Sequence, residues 1–205
     1  MNKLPLSVLL AAPLAILAGP AQSQADQLSK VSAHMRAVST MTATFTQTDR
    51  RNRSLTGTML LKRPGHIRFD YQQGVDTLIV ADGKSLYFID YGVRQVQRWP
   101  IGNSPLSALL NPGQDVTRYG KLAAGSSDDV ISVEVRDPKR PEFGVITMVF
   151  VKQAGAPGGY GLTGWVALDS KNNRTSVRLS NVKYNTAIAD SRFTWKDPRP
   201  PAKRK

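Results

Sequence analysis

Between Met41 and Thr48 every second residue is a threonine: Thr42, Thr44, Thr46 and Thr48 alternate with Met41, Ala43, Phe45 and Gln47. A period of two sends the two sets to opposite faces of an extended chain. The same alternation returns along the sequence, and it limits the chain to a sheet protein. Further strands are expected at about 57–63, 66–72, 77–81 and 85–90, then at about 130–136, 144–152, 162–169, 174–184 and 192–195. Gln72-Gln73-Gly74 and Asp82-Gly83 separate the early strands. Asp-Gly is a strong hairpin signal, because a type I′ turn asks for positive φ at both central residues.

Two helices interrupt this pattern. Asp26 to Ser39 places Leu28, Val31, Met35 and Val38 on one helical face, with Asp26 able to cap the start. Ser104-Pro105-Leu106-Ser107-Ala108-Leu109-Leu110 has a cap and a proline at its first turn, and Asn111-Pro112-Gly113 ends it. The expected architecture is mainly β: a helix, an antiparallel run, a short helix and a second antiparallel run, with no repeat of 20 to 50 residues. About ten strands with little helix read as a barrel or a strongly curved sheet.

The first residues address the chain. Lys3 precedes an apolar run from Leu4 to Ala18, and small residues at Ser23 and Ala25 carry the spacing a signal peptidase reads. A leader of residues 1–25 is expected, cleaved before Asp26. The apolar run is too short for a membrane span, which needs about 20 residues. The chain is therefore expected in the periplasm. It contains no cysteine, so neither a disulfide nor an N-terminal lipid anchor on cysteine is available. The net charge of +13 falls to +12 once Lys3 is gone. Such a charge invites nucleic acid, but the basic residues are scattered apart from Arg50-Arg51-Asn52-Arg53 and the tail from Arg199 to Lys205. An exported chain without an aromatic nucleic-acid motif meets anionic lipid or acidic partner faces instead.

Reactive chemistry is not apparent. His34 and His66 are the only imidazoles and lie on different elements, which excludes a His/Cys metal site. Ser104 lacks the second glycine of a nucleophile elbow. Gly155 to Gly161 lacks the Lys-Ser/Thr ending of a phosphate loop. Asp82, Asp90 and Asp169 stand beside turns, where aspartate serves the backbone. No enzyme, cofactor or metal is expected. What stands out is apolarity on both faces of Leu78-Ile79-Val80-Ala81 and Leu86-Tyr87-Phe88-Ile89. One face of an antiparallel sheet usually meets water, so here both are covered, or one lines an apolar cavity.

Phe45-Thr46-Gln47, Gly57, Leu60-Leu61-Lys62-Arg63-Pro64-Gly65, Arg68-Phe69-Asp70-Tyr71, Ile79 to Tyr87 with its Asp82-Gly83-Lys84, the 105–110 helix and Phe193-Thr194-Trp195-Lys196-Asp197-Pro198 together resemble the outer-membrane lipoprotein carrier family of the LolA type. The resemblance covers nearly all of 26–198, the carrier domain, and leaves 199–205 as a flexible basic tail. It implies an unclosed antiparallel β-barrel whose concave apolar face is covered by short helices. It also implies a monomer that takes acylated lipoproteins from an inner-membrane ABC transporter and yields them to an outer-membrane acceptor. A related envelope domain of the same fold, binding or sensing other acyl ligands, is the alternative.

Strand parity with the resemblance assigns the acyl-binding face to Met59, Leu61, Ile67, Phe69, Tyr71, Leu78, Val80, Leu86 and Phe88, and the lid to Leu106, Leu109 and Leu110. Arg63 ends an apolar strand with no acid near it in sequence, so a buried guanidinium there needs carbonyl acceptors. It is expected to latch the lid through carbonyls around Leu110 to Gly113. The run Arg50 to Arg53 and the basic tail match no motif of the family.

Overall fold

The computed structural model describes residues 20–200 except 102–106, 112–115, 138 and 140. Helix α1, Pro20–Ala37, leads into a six-stranded meander: β1 Thr40–Thr48, β2 Ser54–Lys62, β3 His66–Tyr71, β4 Thr77–Asp82, β5 Ser85–Asp90 and β6 Gln95–Pro100. Two one-turn helices follow, α2 Ser107–Leu110 and α3 Val116–Tyr119. The chain then builds β7 Gly120–Leu122, β8 Val130–Val135, β9 Val145–Lys152, β10 Tyr160–Leu168 and β11 Arg174–Tyr184. All join one antiparallel sheet in the order β6-β5-β4-β3-β2-β1-β11-β10-β9-β8-β7. The two meanders meet where β1 pairs with β11, while β6 and β7 remain unpaired outer edges. The sheet is a curled, unclosed barrel, as expected.

Curvature follows from local devices. β11 slips register opposite Thr42 and Thr44, and β10 slips between Leu162 and Gly164. Such bulges bend a strand and add twist. Gly57 stands opposite Phe45 in the ladder, and a Cβ there would come within 2.1 Å of the Asp70 carbonyl oxygen and 2.7 Å of the Phe45 ring. Its bareness lets Phe45 lie edge-on to Phe69 and Tyr71 at 5.2 and 5.1 Å.

One face gathers the main core. Met41, Ala43 and Phe45 of β1 share it with Met59 and Leu61, Ile131 and Val133, Met148 and Phe150, Leu162 and Trp165. Val31, Met35, Val38, Leu109, Leu110 and Val116 from the helices belong to the same cluster. The helices therefore cover the concave face. The helical spacing read from 26–39 holds in space, with Leu28 partly buried against the same core.

A smaller cluster occupies the convex face: Leu60, Leu78, Val80, Ile89 and Phe193, joined by Tyr87, Val96, Ile188 and Trp195. The C-terminal segment covers it. Lys62 Nζ donates to the Ile188 carbonyl at 3.0 Å, and Arg68 to the Thr194 carbonyl at 3.0 Å. Trp195 sits 5.0 Å from the Tyr87 ring. This explains the double-sided apolarity of β4 and β5.

Several expectations change. Residues 192–195 are no strand: a 3-10 turn at Asp190–Phe193 presses Phe193 into the convex cluster. Strands β6 and β7 went unread because Gln-Val-Gln-Arg-Trp-Pro and a three-residue edge carry no apolar alternation. At Asp82-Gly83 only Gly83 takes positive φ, at 92°. Asp82 instead accepts the Lys84 and Ser85 amides at 2.9 and 2.8 Å. The expected leader lies mostly outside the described residues, and α1 runs across the Ala25–Asp26 bond.

Candidate functional site

The concave face and the helices over it form the candidate site. Met59, Leu61 and Ile67 are fully buried there, with Phe69 beside them. Tyr71 packs against the same cluster, and its hydroxyl donates to Gln47 Oε1 at 2.8 Å. Burial pushes the Tyr71 phenol up to about 12, so it stays neutral. Leu86 and Phe88 pair across the ladder with Ala81 and Ile79, which lie on this face.

Leu78 and Val80 do not. They point to the convex cluster, and Ile79 and Ala81 take their place. The register settles this: Phe69 pairs with both Met59 and Ile79, and opposed residues share a face. A strand apolar at four successive positions carries no parity signal of its own. Leu109 and Leu110 are fully buried over the concave core; Leu106 lies outside the described residues. The far half of this face, including Ile146, Met148, Phe150 and Trp165, was missed. The alternation Ile146, Met148, Phe150 was the available signal.

Arg63 stands at the end of β2, where its amide donates to the Ser39 carbonyl at 2.8 Å. Its guanidinium turns inward among the ends of α1 and α2. Nε donates to the Leu109 carbonyl at 3.1 Å; one terminal nitrogen donates to the Val38 carbonyl at 2.7 Å and to that of Met35. The other reaches Met35 Sδ at 3.2 Å. The last carbonyls of a helix lack partners within it, and the negative end of its dipole favours a cation. Burial pulls the guanidinium down to about 10, still far above neutral pH, so it remains charged. Among the described residues the acceptors are Leu109, one position before the expected Leu110 to Gly113, and the α1 end; Pro112 and Gly113 lie outside the described residues.

His34 lies on the same helix, wholly buried. Its Nδ1 is 2.8 Å from the Pro157 carbonyl, and its ring meets Phe150 and Tyr184 edge-on at 5.5 Å. Burial lowers its pKa, and the Arg63 charge adds to that. Among the described residues no group of three or more His, Cys, Asp or Glu could hold a metal. No helix among them is long and apolar enough to cross a membrane.

The geometry is that of an apolar face roofed by helices and pinned by a cation on main-chain oxygens. The family profile described as outer membrane lipoprotein carrier protein LolA matches residues 36–196. An outer-membrane lipoprotein carrier protein of Chromobacterium violaceum is 29% identical over 198 residues, covering 92% of this chain and 91% of that one. Its counterpart in Methylobacillus flagellatus is 31% identical over 185 residues, covering 86% and 87%. Among solved structures, a DUF1329 family protein from Desulfovibrio piger shares the fold, with a TM-score of 0.51 at 12% identity over 85% of this chain and 97% of that one. This chain belongs to the LolA family of outer membrane lipoprotein carrier proteins.

Proposed function

We propose that this chain is a periplasmic carrier of lipoproteins: it accepts their acyl chains from an inner-membrane ABC transporter and delivers them to an outer-membrane acceptor, working as a monomer without chemistry of its own. The observation that carries the reading is the Arg63 contact set. A buried cation joined to helix-end carbonyls, rather than to a carboxylate, ties α1 and α2 to the β2 end over an apolar face.

The physical demand fits. Each CH₂ exposed to water costs about 0.8 kcal/mol, so one long acyl chain costs on the order of 10 kcal/mol. The concave cluster is packed in this closed form, with Met59, Leu61, Ile67 and Leu109 fully buried. Cargo enters only if the helices lift, exchanging their apolar side chains for acyl chains. Opening breaks a few hydrogen bonds and the solvent-facing Lys30–Asp128 pair at 3.9 Å, but no covalent link, which suits a lid that must close again after release.

Native mass spectrometry of the chain purified after export tests this. Co-purified acylated protein is the expected result, on a chain beginning at Asp26. Free phospholipid alone would transfer the reading to an envelope lipid-binding domain, and ester turnover would replace it with a hydrolase.

A further inference from the structure

The arginine run after β1, which the carrier reading leaves unused, does not stand alone. A groove of about 540 Å³ crosses the convex side of β1, β11, β10 and β9, lined by Thr46, Thr48, Ser176, Arg174 and Arg178. A second, of about 340 Å³, lies between the β1–β2 and β10–β11 hairpin tips, lined by Arg50, Arg51, Arg53, Asn173 and again Arg174. Arg174 lines both. The combined lining holds five guanidiniums and one carboxylate, Asp49, so its charge is +4. Asp49 is committed to Arg53 at 2.7 Å. Arg50, Arg51, Arg174 and Arg178 pair with no carboxylate among the described residues, and all four are exposed.

The groove is built into the strand geometry. Gly164 forms its floor beside the β10 bulge, where a Cβ would come within 2.2 Å of the Val177 carbonyl oxygen. A bare backbone there lets β10 lie close against β11 beside Arg178, which stands opposite Thr46 in the next pair. We propose that this groove and its arginine tip bind the phosphate-bearing headgroups of an anionic membrane surface.

The chemistry selects that occupant. Planar guanidinium forks match phosphate oxygens two bonds at a time, and the flanking hydroxyls add donors. A protein partner is anchored by aromatic residues or arginines held in desolvated pockets, whereas the four unpaired arginines here are all exposed. The one aromatic residue in the lining, Trp165, is 4% exposed and belongs to the concave core. A polybasic surface needs no such anchor to adsorb to anionic lipid. The placement is also consequential. Arg63 adjoins the start of β1, whereas the patch lies at its end, roughly 27 Å away for nine residues of strand. A chain adsorbed by the patch keeps its helix-covered end free. The inference does not depend on the carrier reading, since it uses no residue of the concave face.

Flotation of the full exported chain with phosphatidylcholine vesicles, with and without phosphatidylglycerol, tests it. Binding is expected only with phosphatidylglycerol and should weaken as salt is raised. Each surface cation contributes about fivefold in partitioning. Arg174→Gln with Arg178→Gln should therefore lower it roughly 25-fold, and Arg50→Gln, Arg51→Gln and Arg53→Gln together roughly 100-fold. The paired Arg174→Lys and Arg178→Lys exchange keeps the charge and loses the forks, so its binding should fall between that of the native chain and that of the glutamine pair. The tip variant leaves the strands untouched and decides the matter if the groove variant fails to fold. Equal binding to phosphatidylcholine alone, or unchanged binding in the folded variants, would overturn the proposal. So would equal retention on polyglutamate, or stripping by inorganic phosphate at matched ionic strength, which would assign the site to an acidic chain or to free phosphate. Acyl loading should be unaffected in every variant, so failure here leaves the carrier reading standing.

Discussion

Replacing Arg63 with leucine should open the helical cover. Three carbonyls, of Met35, Val38 and Leu109, accept from the guanidinium in the closed form. Hydrogen bonds to a charged group contribute about 1.5–3 kcal/mol each, so the set contributes about 5–9 kcal/mol. Against that stands the cost of burying the charge. The fall of its pKa to about 10 corresponds to about 3 kcal/mol. Leucine itself returns about 1 kcal/mol by covering apolar surface. The balance is about 1–5 kcal/mol in favour of the native closed form, with a centre near 3 kcal/mol, or roughly a hundredfold in the lid equilibrium. The backbone bond from Gly65 to the Leu110 carbonyl survives and limits the effect. The chain has no cysteine, so Ser107→Cys carrying an environment-sensitive dye reports α2 alone. Arg63→Leu should shift the dye toward water, speed amide exchange at the end of α1, and disturb transfer of cargo to acceptor membranes while far-ultraviolet dichroism is unchanged. Arg63→Lys should recover part of the effect, because one ammonium cannot span three carbonyls set around a fork. A lid population that changes less than about fivefold, with transfer at the native rate, would refute the latch.

Two further outcomes separate the faces and the buried imidazole. Leu61→Ala and Val80→Ala should both lower stability in urea, by about 2–5 and about 1–3 kcal/mol, but only Leu61→Ala should alter the affinity of an acyl probe, since Val80 faces the convex cluster; equal effects on the probe would dissolve the distinction. The pKa of His34 in the fold lies below its ordinary 6.5, so the unfolded chain binds the extra proton first. Stability should decline as pH falls from about 6.5 toward the folded value, and His34→Gln should flatten that decline between pH 7.5 and 5.5 in thermal melts; identical slopes would assign it to other groups.

Much of the architecture was legible because it is local. Period-two alternation around Phe45 and Phe69, glycine at a turn such as Gly83, and the helical face of Val31 and Met35 each follow from neighbours within a few residues; the strands match nearly to their bounds, while α1 begins at Pro20, six residues before the expected cap Asp26, which lies inside the helix and pairs with Lys30. Local reading failed where the cause lies elsewhere in the chain. Phe193-Thr194-Trp195 alternates like a strand, yet it covers the convex cluster because β4 and β5 leave apolar side chains there that must be shielded. β6 is extended because β5 offers it a ladder, despite a sequence with little β preference.

The sequence by itself determined a β-rich chain, its two meanders, and an arginine at a strand end that had to find carbonyls. Tertiary structure alone decided which carbonyls, because those of Met35 and Val38 lie 28 and 25 residues away in sequence and Leu109 lies 46 away. It also decided which residues of β4 look inward. Alternation states only that neighbours face opposite ways; where every residue is apolar, the side is chosen by the register against Phe69, a property of two paired strands and not of either one.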